Sequence, residues 1–97
     1  MKRLVVRRRA SRDLHDILIY SAHEWGIDRA ERYVRDIHAA FERLLTNPDL
    51  SSTLALPRGV YRRLNVGSHA IVFTVSDTAV AIVRVLHQRR DIPKHLR

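Results

Sequence analysis

Residues 58–91, RGVYRRLNVGSHAIVFTVSDTAVAIVRVLHQRRD, constrain this chain more than any other stretch. Three runs rich in apolar and β-branched residues, Gly59–Val66, His69–Val75 and Ala79–His87, are separated only by Gly67-Ser68 and by Ser76-Asp77-Thr78. A two-residue connection that begins with glycine is a hairpin signal, because its positive φ matches the twist of the flanking strands. The spacing therefore predicts three antiparallel strands. Residues 70–75 and 79–86 are nearly all apolar or β-branched, which predicts at least partial cover on both faces of the sheet.

The first half of the chain has a different period. RLVVRR at residues 3–8 predicts a short strand whose basic flanks suit a sheet edge. Ser11 is placed as a helix N-cap, with Asp13 and Asp16 near the positive end of the helix dipole. Leu14, Ile17, Leu18, Ser21, Ala22 and Trp25 follow as one mostly apolar stripe that Gly26 ends. Asp28 and Glu31 form a capping-box pattern for a second helix, whose stripe runs from Ala30 to Leu45 and stops at Asn47-Pro48. So short a connection makes the two helices an antiparallel hairpin. Residues 47–58 hold two of the three prolines and are expected to be a loop, and no element is assigned to 92–97. The expected fold is α+β: an N-terminal strand and an antiparallel helical hairpin packed on a C-terminal antiparallel three-stranded sheet, as a single domain over residues 1–97. The hairpin can cover one sheet face. The other is expected to lack cover from this chain, and such a face marks a partner site.

Absence narrows the chemistry. With no cysteine among 97 residues, disulfides, thiolate metal sites and a cysteine nucleophile are excluded. The six histidines show neither HxxxH nor HExxH spacing, so no metal site is expected. The three glycines make no phosphate loop, and no serine sits in a nucleophile elbow. There is no stretch of membrane-spanning length and no signal-peptide pattern, so a cytoplasmic protein is expected.

Charge is distributed unevenly. Residues 1–9 carry five basic groups and no acid, residues 10–57 five basic and eight acidic, and residues 58–97 eight basic and two acidic. The net +8 therefore sits on the two flanks of a mildly acidic middle, a field that attracts nucleic acid or an acidic protein surface. Arg62 and Arg63 should point to opposite faces of their strand. Arg84 lies between Val83 and Val85, where a cation must reach water, a ligand or a carboxylate. It could share the uncovered face with Arg62, Val72, Ile82 and Leu86, or pair internally with Asp91 or a helix carboxylate. His87, Arg89 and Arg90 close the last strand. Such a set can bind phosphate or carboxylate groups, or assist RNA cleavage with histidine as acid or base.

The order of strand, helical hairpin with Trp25-Gly26, loop near Pro57, RRLNVGSHAIVFTV and VAIVRVLHQRRD resembles the ParE branch of the ParE/RelE toxin family. The matching segments run from Asp13 to Trp25, Ala30 to Pro48, Arg62 to Val75 and Val80 to Asp91. The resemblance implies a toxin of a type II toxin–antitoxin module that poisons DNA gyrase by binding, without a cofactor. It also implies a cognate ParD-like antitoxin whose acidic, amphipathic C-terminal segment wraps the toxin. On this reading Arg84, His87, Arg89 and Arg90 form the toxic surface, and Arg62, Val72, Ile82, Arg84 and Leu86 receive the antitoxin. RelE-like nucleases often carry a catalytic arginine in the middle strand and a catalytic tyrosine near the C-terminus. Here Ala70 takes the arginine slot and the last tyrosine is Tyr61, which argues against ribonuclease chemistry. A RelE-like mRNA interferase using His87, and a non-toxic antitoxin-binding homologue, are the alternatives, and direct contact with nucleic acid is left open.

Overall fold

The computed structural model describes residues 2–56 and 59–96. Its elements are β1 (Arg3–Val6), α1 (Arg8–Trp25), α2 (Ile27–Thr46), a 3-10 turn (Pro48–Leu50), β2 (Ser52–Leu56), β3 (Gly59–Val66), β4 (His69–Val75), β5 (Ala79–His87) and α3 (Ile92–His95). They form one five-stranded sheet in the order β1-β5-β4-β3-β2, with β1 parallel to β5 and every other pair antiparallel.

The three expected strands appear with the expected limits, and Gly67 holds the φ of 56° that its turn requires. The expected N-terminal strand also appears, as β1 at one edge of the sheet, and one strand that was not expected completes it. β2 lies inside the stretch read as a loop, where Ser52–Leu56 pairs with Gly59–Arg63. Five residues between a 3-10 turn and Pro57 carry too little alternation to announce a strand. The junction of that hairpin, Pro57-Arg58, lies outside the described residues.

Both expected helix caps are corrected. α1 begins at Arg8, three residues before Ser11, with Arg7 as an N-cap that makes no side-chain bond. Strand β1 delivers the chain straight into the helix: the Arg7 N–H donates to the Ile82 carbonyl at 3.0 Å, and the next residue is helical. Gly26, at φ 88°, ends α1 and also stands before α2, so Asp28 lies within the first turn and caps nothing. An acid there still complements the helix dipole.

The main core lies between the helices and one sheet face, with Phe41, Phe73, Ile37, Leu44, Ile71 and Ile82 fully buried. The second face is not left bare. The tail forms α3, and Ile92 packs in a smaller cluster with Ala70, Val72 and Leu86, flanked by Leu54, Tyr61 and Leu96. The Asp91 carboxylate accepts from the Lys94 N–H and caps this short helix.

Candidate functional site

The site starts where β1 runs out. Beyond Ile82 the outer edge of β5 has no strand partner, which would orphan the Val85 N–H. Asp13 takes that place. Its Oδ2 accepts from the Val85 N–H at 2.9 Å and from Arg84 Nε at 2.7 Å, and its Oδ1 accepts from Arg84 Nη2 at 2.9 Å. Arg84 Nη1 donates to the His95 carbonyl at 2.8 Å. One guanidinium thus ties α1, β5 and α3 together, with the two side chains only 12% and 13% exposed. The bidentate hydrogen bond to Asp13 raises the Arg84 pKa despite partial burial. Arg84 therefore pairs with a helix carboxylate, one of the two roles open to it.

A β-bulge explains why strand alternation misplaces Ile82 relative to Arg84 and Leu86. The register runs Val72↔Arg84 and then Phe73↔Ile82, so Val83 is an extra residue and every side chain after it changes face. The expectation that Arg62, Val72, Ile82, Arg84 and Leu86 share one uncovered face is corrected accordingly. Ile82 lies under the helices, and Val72 and Leu86 lie in the cluster on the opposite side. Val72 and Ile82 are fully buried and Leu86 nearly so. Arg62 pairs with Phe73 and Arg63 with Val72, so these two arginines do face opposite ways.

Next to the Arg84–Asp13 pair, α1 and the ends of β4 and β5 enclose a cleft of about 360 Å³ that brings together Arg84, His87 and Arg90. It runs into a wider one of about 600 Å³, lined by Tyr20, Trp25, His69, His87, Arg89 and Arg90. The His69 and His87 rings meet edge-on at 5.6 Å. Burial, then the neighbouring His87, lowers the His69 pKa, and the charge of Asp13 only partly opposes this. Tyr33 secures His69 from the other side, with its hydroxyl 2.6 Å from Nδ1, while the Ser68 N–H donates to the same oxygen at 3.2 Å. With the Tyr33 proton on that short contact, Nδ1 accepts, as a neutral imidazole can. The Arg89 N–H donates to His87 Nδ1 at 3.2 Å.

The side chains of Arg89 and Arg90 make no ion pair or hydrogen bond among the described residues. Tyr20 is 66% exposed, and Trp25, assigned by its spacing to the apolar stripe, is 41% exposed. Asp13, Tyr33 and His69 were not singled out for a role in the site. Asp13 read as a helix-dipole acid and Tyr33 as one more apolar position. Only their contacts across the chain, with residues 84–85 and 66–69, reveal their part. Among the described residues no group of histidines and carboxylates is placed to hold a metal ion, and no helix is long and apolar enough to cross a membrane.

This fold is that of solved toxin–antitoxin components. It superposes with a TM-score of 0.77 at 22% identity on a chain of the chromosomal ParDE system from P. aeruginosa, covering 90% of this chain and 96% of that one. Against a chain of the toxin–antitoxin complex RelBE2 from Mycobacterium tuberculosis the TM-score is 0.68 at 21% identity, covering 90% and 98%. Sequence likeness goes further. The chain is 38% identical over 96 residues to "Toxin ParE1" of Caulobacter vibrioides, covering 99% of both. It is 35% identical over 88 residues to "Toxin ParE1" of Mycobacterium tuberculosis, covering 90% of both. The family model for the ParE toxin of the type II toxin–antitoxin system parDE matches residues 4–92, and the chain belongs to that family.

Proposed function

We propose that this toxin acts by binding, with DNA gyrase as its target, through the open cleft formed by His87, Arg89 and Arg90 beside Tyr20 and Trp25. The observation that carries this reading is the contrast in pairing along one short segment. Arg84 spends its donors on Asp13 and His95, whereas the side chains of Arg89 and Arg90 make no polar contact among the described residues and stand next to exposed aromatic rings. Unspent guanidinium groups next to exposed aromatic surface are the usual anchors of a protein interface. Arg84 belongs to this surface only as the brace beneath it.

Non-catalytic action is supported by the packing of Ala70. Where RelE-like nucleases often hold an arginine, this side chain is fully buried with Ile92 and Leu86 on the second sheet face. A cognate ParD-like antitoxin with an acidic segment is the expected neutralising partner. Its apolar anchors must fall on exposed residues such as Tyr20, Trp25 and Ile27 instead of on Val72, Ile82 and Leu86.

The test is gyrase supercoiling and cleavage with purified toxin, with and without the antitoxin of the same module. Loss of supercoiling with accumulated cleaved DNA, reversed by antitoxin and abolished by Arg89→Ala with Arg90→Ala, is expected. A toxin that arrests growth but leaves gyrase untouched overturns the target assignment. One observation favours a second reading: His69 and His87 meet edge-on beside Arg90, an arrangement able to move protons on RNA. It requires cut transcripts in a translating extract, lost on His87→Ala. Normal growth during expression of the chain alone would instead indicate a non-toxic antitoxin-binding homologue.

A further inference from the structure

Trp25 stands between two basic clefts. On one side is the cleft with Arg89 and Arg90. On the other is a second of about 510 Å³, in which α2 presents Arg29, Arg32 and Arg35 against the single carboxylate of Asp36. Ser68 lines both, so the two are neighbours across one aromatic ring. The Arg29 guanidinium carbon lies 4.8 Å from the Trp25 ring centroid, and Tyr33 meets the ring edge-on at 5.6 Å. These contacts fix the ring while leaving 41% of the residue exposed, and Tyr20 close by is 66% exposed. The salt bridge found among the described residues joins Arg84 to Asp13, and none of these five arginines takes part in it.

We propose that this face binds a single-stranded nucleic acid, with phosphates held by the arginines on either side and a base stacked at Trp25. The residue order argues for this ligand. Each nucleotide repeats an anion and a planar base, which matches arginines flanking an exposed ring. An acidic peptide would engage the arginines but has no use for the aromatic platform between them. A duplex keeps its bases stacked internally and offers Trp25 nothing. On α2 the guanidinium stems at positions three apart start about 5–6 Å from one another, close enough for successive phosphates. The inference does not depend on gyrase being the toxin's target.

The experiment is fluorescence titration of the full chain, whose only tryptophan is Trp25. The probes are oligothymidylate and oligouridylate of about 12 nucleotides, within the usual single-strand site size, a duplex of equal length, and polyglutamate. Both single strands should quench Trp25. Affinity should fall with salt at a log–log slope of about −3.5 for five neutralised phosphates. Replacing Arg29, Arg32 and Arg35 together by Gln should reduce that slope to about −1.4. Titrated by the anisotropy of a dye-labelled oligothymidylate, since it has no tryptophan to report, Trp25→Leu should weaken binding about ten-fold with the slope kept, and Trp25→Phe should restore part of the loss. Equal affinity for the two strands means phosphate and base alone are read. Tighter oligouridylate binding, with oligodeoxyuridylate bound no better than oligothymidylate, adds recognition of the 2′-hydroxyl to the same site. Binding without quenching, a triple variant with the parental slope, or polyglutamate or duplex bound as tightly as the single strands each overturns the proposal.

Discussion

Arg84 and the pair Arg89–Arg90 lie within one short segment and have the same side chain, yet the fold treats them in opposite ways. Arg84 is held by two oxygens of Asp13 and by the His95 carbonyl, almost out of contact with water. Arg89 and Arg90 follow the end of β5 with no polar partner for their side chains among the described residues and face an open cleft. The difference comes from backbone edges. Arg84 sits where β1 has ended and a loose strand edge had to be closed, and a carboxylate from α1 closes it. Beyond β5 the chain has no edge to close, so the cations are free for something else. A cluster of arginines in a sequence is therefore a mixture of braces and contacts.

The contrast can be broken most forcefully at the brace. Asp13→Ala leaves Arg84 without its counter-ion and orphans the Val85 N–H. Because both side chains keep some contact with water, the expected loss is about 2–3 kcal/mol, below the ~3–5 kcal/mol for breaking a fully buried pair. Urea unfolding measures it, and a loss under about 0.5 kcal/mol would show the pair to be dispensable. Gly67→Ala should cost roughly 1–2 kcal/mol by forcing a side chain into a left-handed conformation. The added Cβ would also lie 2.6 Å from the Tyr33 ring, disturbing the hydroxyl that holds His69.

A smaller effect should appear with pH. The folded state lowers the His69 pKa below 6.5, so the unfolded chain binds more protons in this range. Stability from this residue is complete above pH 6.5 and declines as the pH falls towards the depressed value. Melting temperatures of the parent and of His69→Gln, compared at neutral and mildly acidic pH, test this: the parent should lose more. The smallest structural effect belongs to Arg89→Ala with Arg90→Ala, which should change stability by no more than about 0.5 kcal/mol while abolishing growth arrest. A stability loss as large as that of Asp13→Ala would erase the distinction between brace and contact.

The strands β3, β4 and β5 and the end of α2 could be read residue by residue, because Gly67-Ser68, Ser76-Asp77-Thr78 and Asn47-Pro48 interrupt strong hydrophobic patterns. The start of α1 could not. Ser11 is a good cap in isolation, but β1 forces the chain to turn at Arg7 and helix begins at once. β2 was invisible because its pairing with β3 is set by the partner strand, not by its own short pattern. In the site, the exposed polar groups of His87, Arg89 and Arg90 were legible as a cluster at a strand end. The face of Ile82 was not, since one extra residue at Val83 reverses the alternation on which that reading depends. Asp13, Tyr33 and His69 act through partners far away in the chain, and no local pattern encodes those partners.

The parallel pairing of β1 with β5 also has a consequence for the order of events during synthesis. Strand β1 finds its partner only when residues 79–82 have been made, and Arg84 gains its last acceptor only at residue 95. Until then the helical hairpin has little of the sheet to rest on, and such long-range closure is slow compared with forming helices. The sheet, and with it the basic cleft at the end of β5, can thus be completed only late in synthesis.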